Sequence, residues 1–223
     1  STITAPLKTN IKKITTDKTY LGYMFPTLII LVVMFVSILL GTTLVMMEKH
    51  SPAHFRNFVM PVRKITFIFS TYLTNVFLIL IQVVIILGVS LVFLGDVYDK
   101  LPLTTLILFL ASSVFTLIGI LIGYLFSSED TGTLASIFTG SFLLFISGVV
   151  LPLESMTPIV RKVIHYNPFV LAEKLVREVF IFGSSIQVIY QDLLMLAGYG
   201  LGLFILILII DAVLDKHFAT KIT

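Results

Sequence analysis

The sequence contains no cysteine. That excludes disulfides, thiolate chemistry and cysteine-based metal sites. Charge is also scarce: Asp, Glu, Lys and Arg make up 12% of the chain, where a soluble domain uses roughly a quarter to cover its surface. No Lys/Arg stripe with interleaved aromatics occurs, which sets nucleic acid aside as a partner. The net charge of +3 and the pI of about 9.1 suit loops beside anionic lipid headgroups. There is no Gly-rich loop ending in Lys-Ser/Thr, so the chain does not itself bind ATP in the P-loop manner. A Gly-x-Ser-x-Gly elbow is missing as well.

Apolar residues are abundant. They form 57% of the chain, and with a mean hydropathy of +1.08 lipid must be part of the solvent. Five apolar runs stand out: Leu21–Met47, Ile65–Leu94, Leu103–Phe126, Leu134–Val150 and Leu193–Ile210. A helix of about 20 residues crosses the ~30 Å hydrocarbon layer. Backbone amides in lipid must be satisfied internally, so runs of this length are helices, and the alternation of a membrane barrel is absent. The expectation is an all-α polytopic membrane bundle with about five spans and short interfacial helices.

None of the five runs contains Asp, Glu, Lys, Arg or His. Proton and ion relays need such groups inside the membrane, which counts against a secondary transporter, a channel of that kind or an intramembrane enzyme. The polar residues within the runs are mild: Ser70, Thr71, Asn75, Gln82, Ser90, Ser112, Ser113 and Thr116. Interhelical hydrogen bonding is the reading preferred for them over contact with cargo. Gly119 and Gly123 form one GxxxG step, which lets two helix backbones approach closely.

The connections carry more information. After Glu48-Lys49-His50, Ser51 can cap a helix opening at Pro52, where the missing N–H costs nothing. Phe55, Phe58 and Val59 then share a face, and Pro61 ends the segment. A short amphipathic helix outside the bilayer is expected, either resting on headgroups or docking to a partner. His50 and His54 lie four apart, but without a third ligand they read as solvated loop residues. Thr157-Pro158 and Asn167-Pro168 repeat the cap-and-proline device. The first helix would run to about His165, with Ile159, Val160, Val163 and Ile164 opposite Arg161 and Lys162. The second would run to about Phe182, with Val176, Val179 and Phe180 as its apolar face and Glu173–Arg177 and Lys174–Glu178 as four-apart charge pairs. Together they read as a re-entrant or interfacial hairpin over one mouth of the bundle.

At these connections the chain resembles the permease subunits of type-2 ATP-binding-cassette (ABC) exporters. The stretch Ser147-Gly148-Val149-Val150-Leu151-Pro152-Leu153-Glu154-Ser155-Met156-Thr157-Pro158, then Asn167-Pro168, Arg177-Glu178 and Gly183, is similar in order and spacing to the segment after that family's penultimate span. Glu48-Lys49 with Pro61 resembles its Glu-Arg-Glu-x-Gly-Thr…Pro segment, with His50 and Pro52-Ala53 as departures. The resemblance covers roughly Leu21 to Thr223 as the permease transmembrane domain. It implies that the family's first span precedes this sequence, and that residues 1–20, which open on Ser1, end an external segment.

The resemblance also implies a mechanism. Two permease copies pair in the cell membrane, multi-pass, each resting on a separate ABC ATPase that holds the ATP, with no cofactor on this chain. Glu48, Lys49, Pro52, Phe55, Arg56, Phe58 and Pro61 would couple to the ATPase, the helix Pro52–Met60 sitting in its groove. The first and fourth runs would line the pathway. Ser147, Gly148, Pro152, Leu153, Glu154, Pro158, Asn167 and Pro168 would belong to an external gate. The exported substrate is left open, and a scaffold or assembly subunit without a pathway is the alternative. The family's orientation puts six Lys/Arg on the cytoplasmic side and nine on the other, against the positive-inside rule. Four of the nine lie in the external stretch, and long exported segments cross largely regardless of charge.

Overall fold

The computed structural model describes residues 20–50, 64–94, 98–150, 157, 161 and 164–219, with side chains described for all of these except 20–23, 64–72, 90, 92–94, 98 and 211–219. No strand occurs among the described residues. Among the described residues six α-helices follow one another: α1 Tyr20–His50, α2 Lys64–Leu94, α3 Leu101–Leu125, α4 Glu129–Phe145, α5 Pro168–Arg177 and α6 Ile186–Ala219. A 3₁₀ turn, Tyr98–Lys100, precedes α3, and a π turn, Glu178–Phe182, continues α5. The chain is an all-α membrane bundle. Met24–His50, Leu101–Leu125 and Ile186–Ile210 are each long and apolar enough to cross a bilayer, and Leu73–Val89 of α2 is a shorter apolar stretch.

Helices cover all five expected runs, with one shift in register. The run expected at 134–150 is helical from Glu129 to Phe145, so its helix starts earlier and stops sooner. Two residues stop it. The Ser147 hydroxyl donates to the Leu144 carbonyl at 2.5 Å and accepts from the Val149 N–H at 3.1 Å. Gly148 takes a φ of 82°, which L side chains rarely adopt.

The most extensive helix pair is α1 with α3, and α3 is the central element, touching every other helix. The two run parallel at very close range. A Cβ at Gly41 would lie 2.5 Å from the Thr116 carbonyl oxygen, one at Gly123 would lie 2.7 Å from Val45 Cβ, and one at Gly119 would collide with the Ile38 carbonyl. The Gly119–Gly123 step is therefore a packing seam, and Gly41 is its counterpart on α1. α4 runs antiparallel to α1 and turns Gly132, Ser136 and Gly140 toward it, at spacings of four. Lipid tails are as apolar as Leu, so helices here associate through close packing and hydrogen bonds rather than hydrophobic burial. Small residues at the seams supply the first of these.

α2 buries a stripe of Asn75, Ile79, Val83 and Ile86, while Phe77, Val84 and Ile85 are exposed on its other face. α6 is the most exposed of the long helices. Both have apolar outer faces, as lipid-facing helices do.

Candidate functional site

Three helices meet at one hydroxyl. Thr42 Oγ1 lies 2.9 Å from the Gly119 carbonyl of α3, 3.0 Å from the Ile38 carbonyl of its own helix and 2.7 Å from Ser136 Oγ of α4. Ser136 Oγ also lies 2.9 Å from the Gly132 carbonyl. All of these residues are buried. With Ser136 donating to Thr42 and Thr42 to Gly119, each hydroxyl proton has an acceptor. Only the close approach of Gly119 brings its carbonyl within reach. Gln82 ties α2 to α1 in the same manner: its Oε1 accepts from Ser37 Oγ at 3.2 Å, and its Nε2 donates to the Val33 carbonyl at 3.5 Å. The interhelical reading of the span hydroxyls and amides thus holds at Gln82. Ser112 and Ser113 are buried with no hydrogen-bond partner among the described residues.

At one end of the bundle α1 finishes against α3. Lys49 Nζ donates to the carbonyls of Gly123, Tyr124 and Phe126 at 2.7, 3.0 and 3.1 Å and lies 5.7 Å from the Tyr124 ring centroid. These are carbonyls that the last turn of a helix leaves unpaired, at the negative end of its dipole. One ammonium satisfies all three. Lys49, expected at the ATPase interface, is thus engaged within the subunit. His50 Nδ1 lies 2.9 Å from the Met46 carbonyl. Among the described residues no cluster of three potential metal ligands occurs. The expected coupling residues Pro52, Phe55, Arg56, Phe58 and Pro61 lie outside the described residues. Glu48 and Lys49 lie at the end of α1, which leads into that segment.

At the opposite end four of the expected gate residues, Ser147, Gly148, Asn167 and Pro168, lie together. Asn167 caps α5: its Oδ1 accepts from the Phe169 N–H at 2.9 Å, with Pro168 at the first helical position. Its Nδ2 donates to the Leu143 carbonyl at 2.7 Å, next to the Leu144 carbonyl that takes the Ser147 hydroxyl. Ser147, Gly148, Asn167 and Pro168 therefore form one joint between the end of α4 and the start of α5. Pro152, Leu153, Glu154 and Pro158 lie outside the described residues. At the start of the first expected hairpin helix, the Arg161 N–H donates to the Thr157 carbonyl at 3.1 Å.

The second hairpin helix follows the expected course as far as Arg177, and its apolar face, Val176, Val179 and Phe180, is buried. Glu173 and Arg177 pair as expected, but they face inward. Thr27 Oγ1 of α1 donates to Glu173 Oε1 at 2.8 Å, and Arg177 Nη2 reaches Thr27 Oγ1 at 3.1 Å. Phe25 and Phe180 meet edge to face beside them, with centroids 6.2 Å apart. Nothing local in the sequence pointed to Thr27, which is 146 residues from its acceptor.

Lys174 and Glu178, by contrast, do not pair. Lys174 binds Asp192 of α6 at 2.7 Å, and Glu178 accepts from Ser184 Oγ at 2.7 Å. The π turn opens at Glu178 and wraps it toward Gly183, whose φ of 64° ends the element. Lys100 Nζ donates to the Phe180 carbonyl in that turn at 3.0 Å.

The sequence model of the family described as ABC-2 family transporter protein matches residues 2–209. Neither a curated protein nor a solved structure matches the sequence. That match spans nearly the whole of a helical membrane bundle, and the protein belongs to the ABC-2 transporter family, as a membrane subunit of an ABC transporter.

Proposed function

We propose that the chain is the permease subunit of an ATP-driven exporter, working as a dimer in the cell membrane and driven by a separate ABC ATPase. Members of this family generally partner with such an ATPase. The chain itself holds no nucleotide and carries out no hydrolysis. Its coupling element is the segment Pro52–Met60, facing the cytoplasm, with Phe55 and Phe58 seated in the ATPase. The external gate is the hairpin from Pro152 to Phe182.

One observation supports this reading above the others: α1 connects the two places where the mechanism needs force. It is continuous for 31 residues, about 46 Å at 1.5 Å per residue. Its C-terminal end leads directly to the coupling segment, and its N-terminal end holds the gate helix α5 through Thr27, Glu173 and Arg177. Between the ends it is locked to α3 and α4. A push delivered at His50 therefore travels as a rigid-body shift, and apolar runs without Asp, Glu, Lys, Arg or His need no titration step.

The test is hydrolysis of ATP by the co-purified ATPase in proteoliposomes. Phe55→Asp or Phe58→Asp abolishes the part of that hydrolysis that depends on the permease. If the coupled hydrolysis persists in both variants, the coupling role is wrong. A scaffold subunit is separated from a permease by labelling. Single cysteines placed along α4, in a chain that has none of its own, change accessibility with nucleotide only where a pathway opens and closes.

A further inference from the structure

A cleft of about 230 Å³ opens between α5 and α6, lined by His165, Tyr166, Lys174 and Asp192 together with Val170, Leu171 and Met195. Below it a groove of about 490 Å³ follows α6 past Gly198, Tyr199, Gly202 and Leu203 to Leu206, and Met195 lines both. The upper part mixes charged and apolar side chains, and the lower part is almost wholly apolar. Tyr199 spans the junction, its ring in the groove and its hydroxyl donating to the Tyr166 carbonyl at 2.7 Å. We propose that this cleft and groove seat one zwitterionic phospholipid of the surrounding bilayer, its headgroup between Lys174 and Asp192 and an acyl chain along Gly198 and Gly202.

Length and charge both select this occupant. Fourteen residues separate Asp192 from Leu206, about 21 Å of helix. One leaflet, with its headgroup layer, is half of ~40–45 Å. The groove therefore runs one lipid deep. At its polar end Lys174 and Asp192 pair at 2.7 Å, with the lysine side chain 55% exposed. A solvated ion pair of this kind holds weakly, so it parts readily. Lys174 then takes the phosphate and Asp192 the headgroup ammonium. An anionic lipid would bring net negative charge to Asp192, and an uncharged lipid would satisfy neither residue. Glycines 198 and 202 keep the groove open, since a Cβ at either one meets no atom within 4 Å.

The test uses the purified full chain in phosphatidylcholine vesicles doped with a phosphatidylcholine bearing a diazirine midway along one acyl chain. After photolysis, adducts are mapped by peptide mass spectrometry. Adducts are expected on the stretch from Met195 to Leu206. Gly202→Leu lowers them by about ten-fold, equivalent to about 1.4 kcal/mol of binding, and Gly198→Leu takes its place if that variant does not fold. The Lys174→Ala, Asp192→Ala double variant and a matched phosphatidylglycerol probe both lower them as well. Labelling that ignores the groove substitution, or that is equal for the two headgroups, overturns the proposal. So does rapid disulfide dimerisation of a Gly198→Cys variant, because a second helix would then occupy the groove.

Discussion

Replacing Gly119 by alanine adds a single methyl group, yet it should be among the most damaging small changes available in this bundle. The added Cβ falls on the Ile38 carbonyl of α1. An ordinary nonbonded contact needs ~3.5 Å, so the two backbones must part by about 1 Å. That movement carries the Gly119 carbonyl beyond hydrogen-bond range of Thr42, now 2.9 Å away, because such bonds fail past ~3.5 Å. Overpacking costs about 1–3 kcal/mol and the lost bond about 1 kcal/mol. Alanine's better helix propensity offsets about 1 kcal/mol.

The net destabilisation is about 1–3 kcal/mol. Gly88→Ala is the control, because a Cβ there meets nothing within 4 Å, and it should gain up to ~1 kcal/mol from propensity alone. At roughly 2–4 °C per kcal/mol for a chain of this size, the two variants should differ by roughly 5–10 °C in thermal unfolding followed by loss of the monodisperse peak in detergent. Gly119→Ala melting at or above Gly88→Ala would refute the seam.

Asn167→Ala removes both the α5 cap and the tie to Leu143, and should cost about 1–2 kcal/mol. Asn167→Ser keeps a capping oxygen and loses the tie, so its melting temperature should fall between wild type and the alanine variant. Glu173→Gln removes the charge that Arg177 pairs with and leaves it the Thr27 hydroxyl, for which about 1–3 kcal/mol is expected. A Glu173→Gln, Arg177→Met double variant should recover part of that loss in the same melts. Lys49→Met exposes three unpaired carbonyls at the end of α3. Hydrogen exchange over residues 120–126 should accelerate there while exchange at the N-terminal end of α3 is unchanged.

Local features of the fold were legible in the sequence, and long-range partners were not. Runs of apolar residues located the five long helices, because lipid leaves the backbone no other way to satisfy its amides. Asn167-Pro168 located the start of α5 to the residue, since capping is decided within three residues. Gly119 and Gly123 were visible as a step, but their counterpart Gly41 was not, because a seam is a property of two helices. The charge pairs divide along the same line. Glu173–Arg177 obeys four-residue spacing inside an α-helix. Lys174–Glu178 has the same spacing but fails where the π turn begins, and Lys174 finds Asp192 on another helix. Lys49 was placed at a partner surface by resemblance to a motif. Its three carbonyl acceptors lie more than 70 residues away.

The arrangement of these contacts constrains where a gate can open. α5 is attached to α1 through Thr27, to α4 through Leu143 and to α6 through the Lys174–Asp192 pair. α1 is itself joined to α4 at Thr42 and Ser136 and to α3 at Thr42 and Gly119, and α4 packs on α3. Were α1 to slide relative to α4, Glu173 would lose the Thr27 hydroxyl or Asn167 its bond to the Leu143 carbonyl, each costing about 1 kcal/mol. The least costly motion carries α1, α3, α4 and α5 together. A hairpin that rides on its own bundle cannot open a passage within that bundle. In the dimeric reading it opens one against the second copy, so cross-links between α4 and α5 inside one subunit should leave transport intact, while cross-links between the hairpins of two subunits should stop it. Transport blocked by the intramolecular cross-link would show that α5 swings independently and would refute the rigid block.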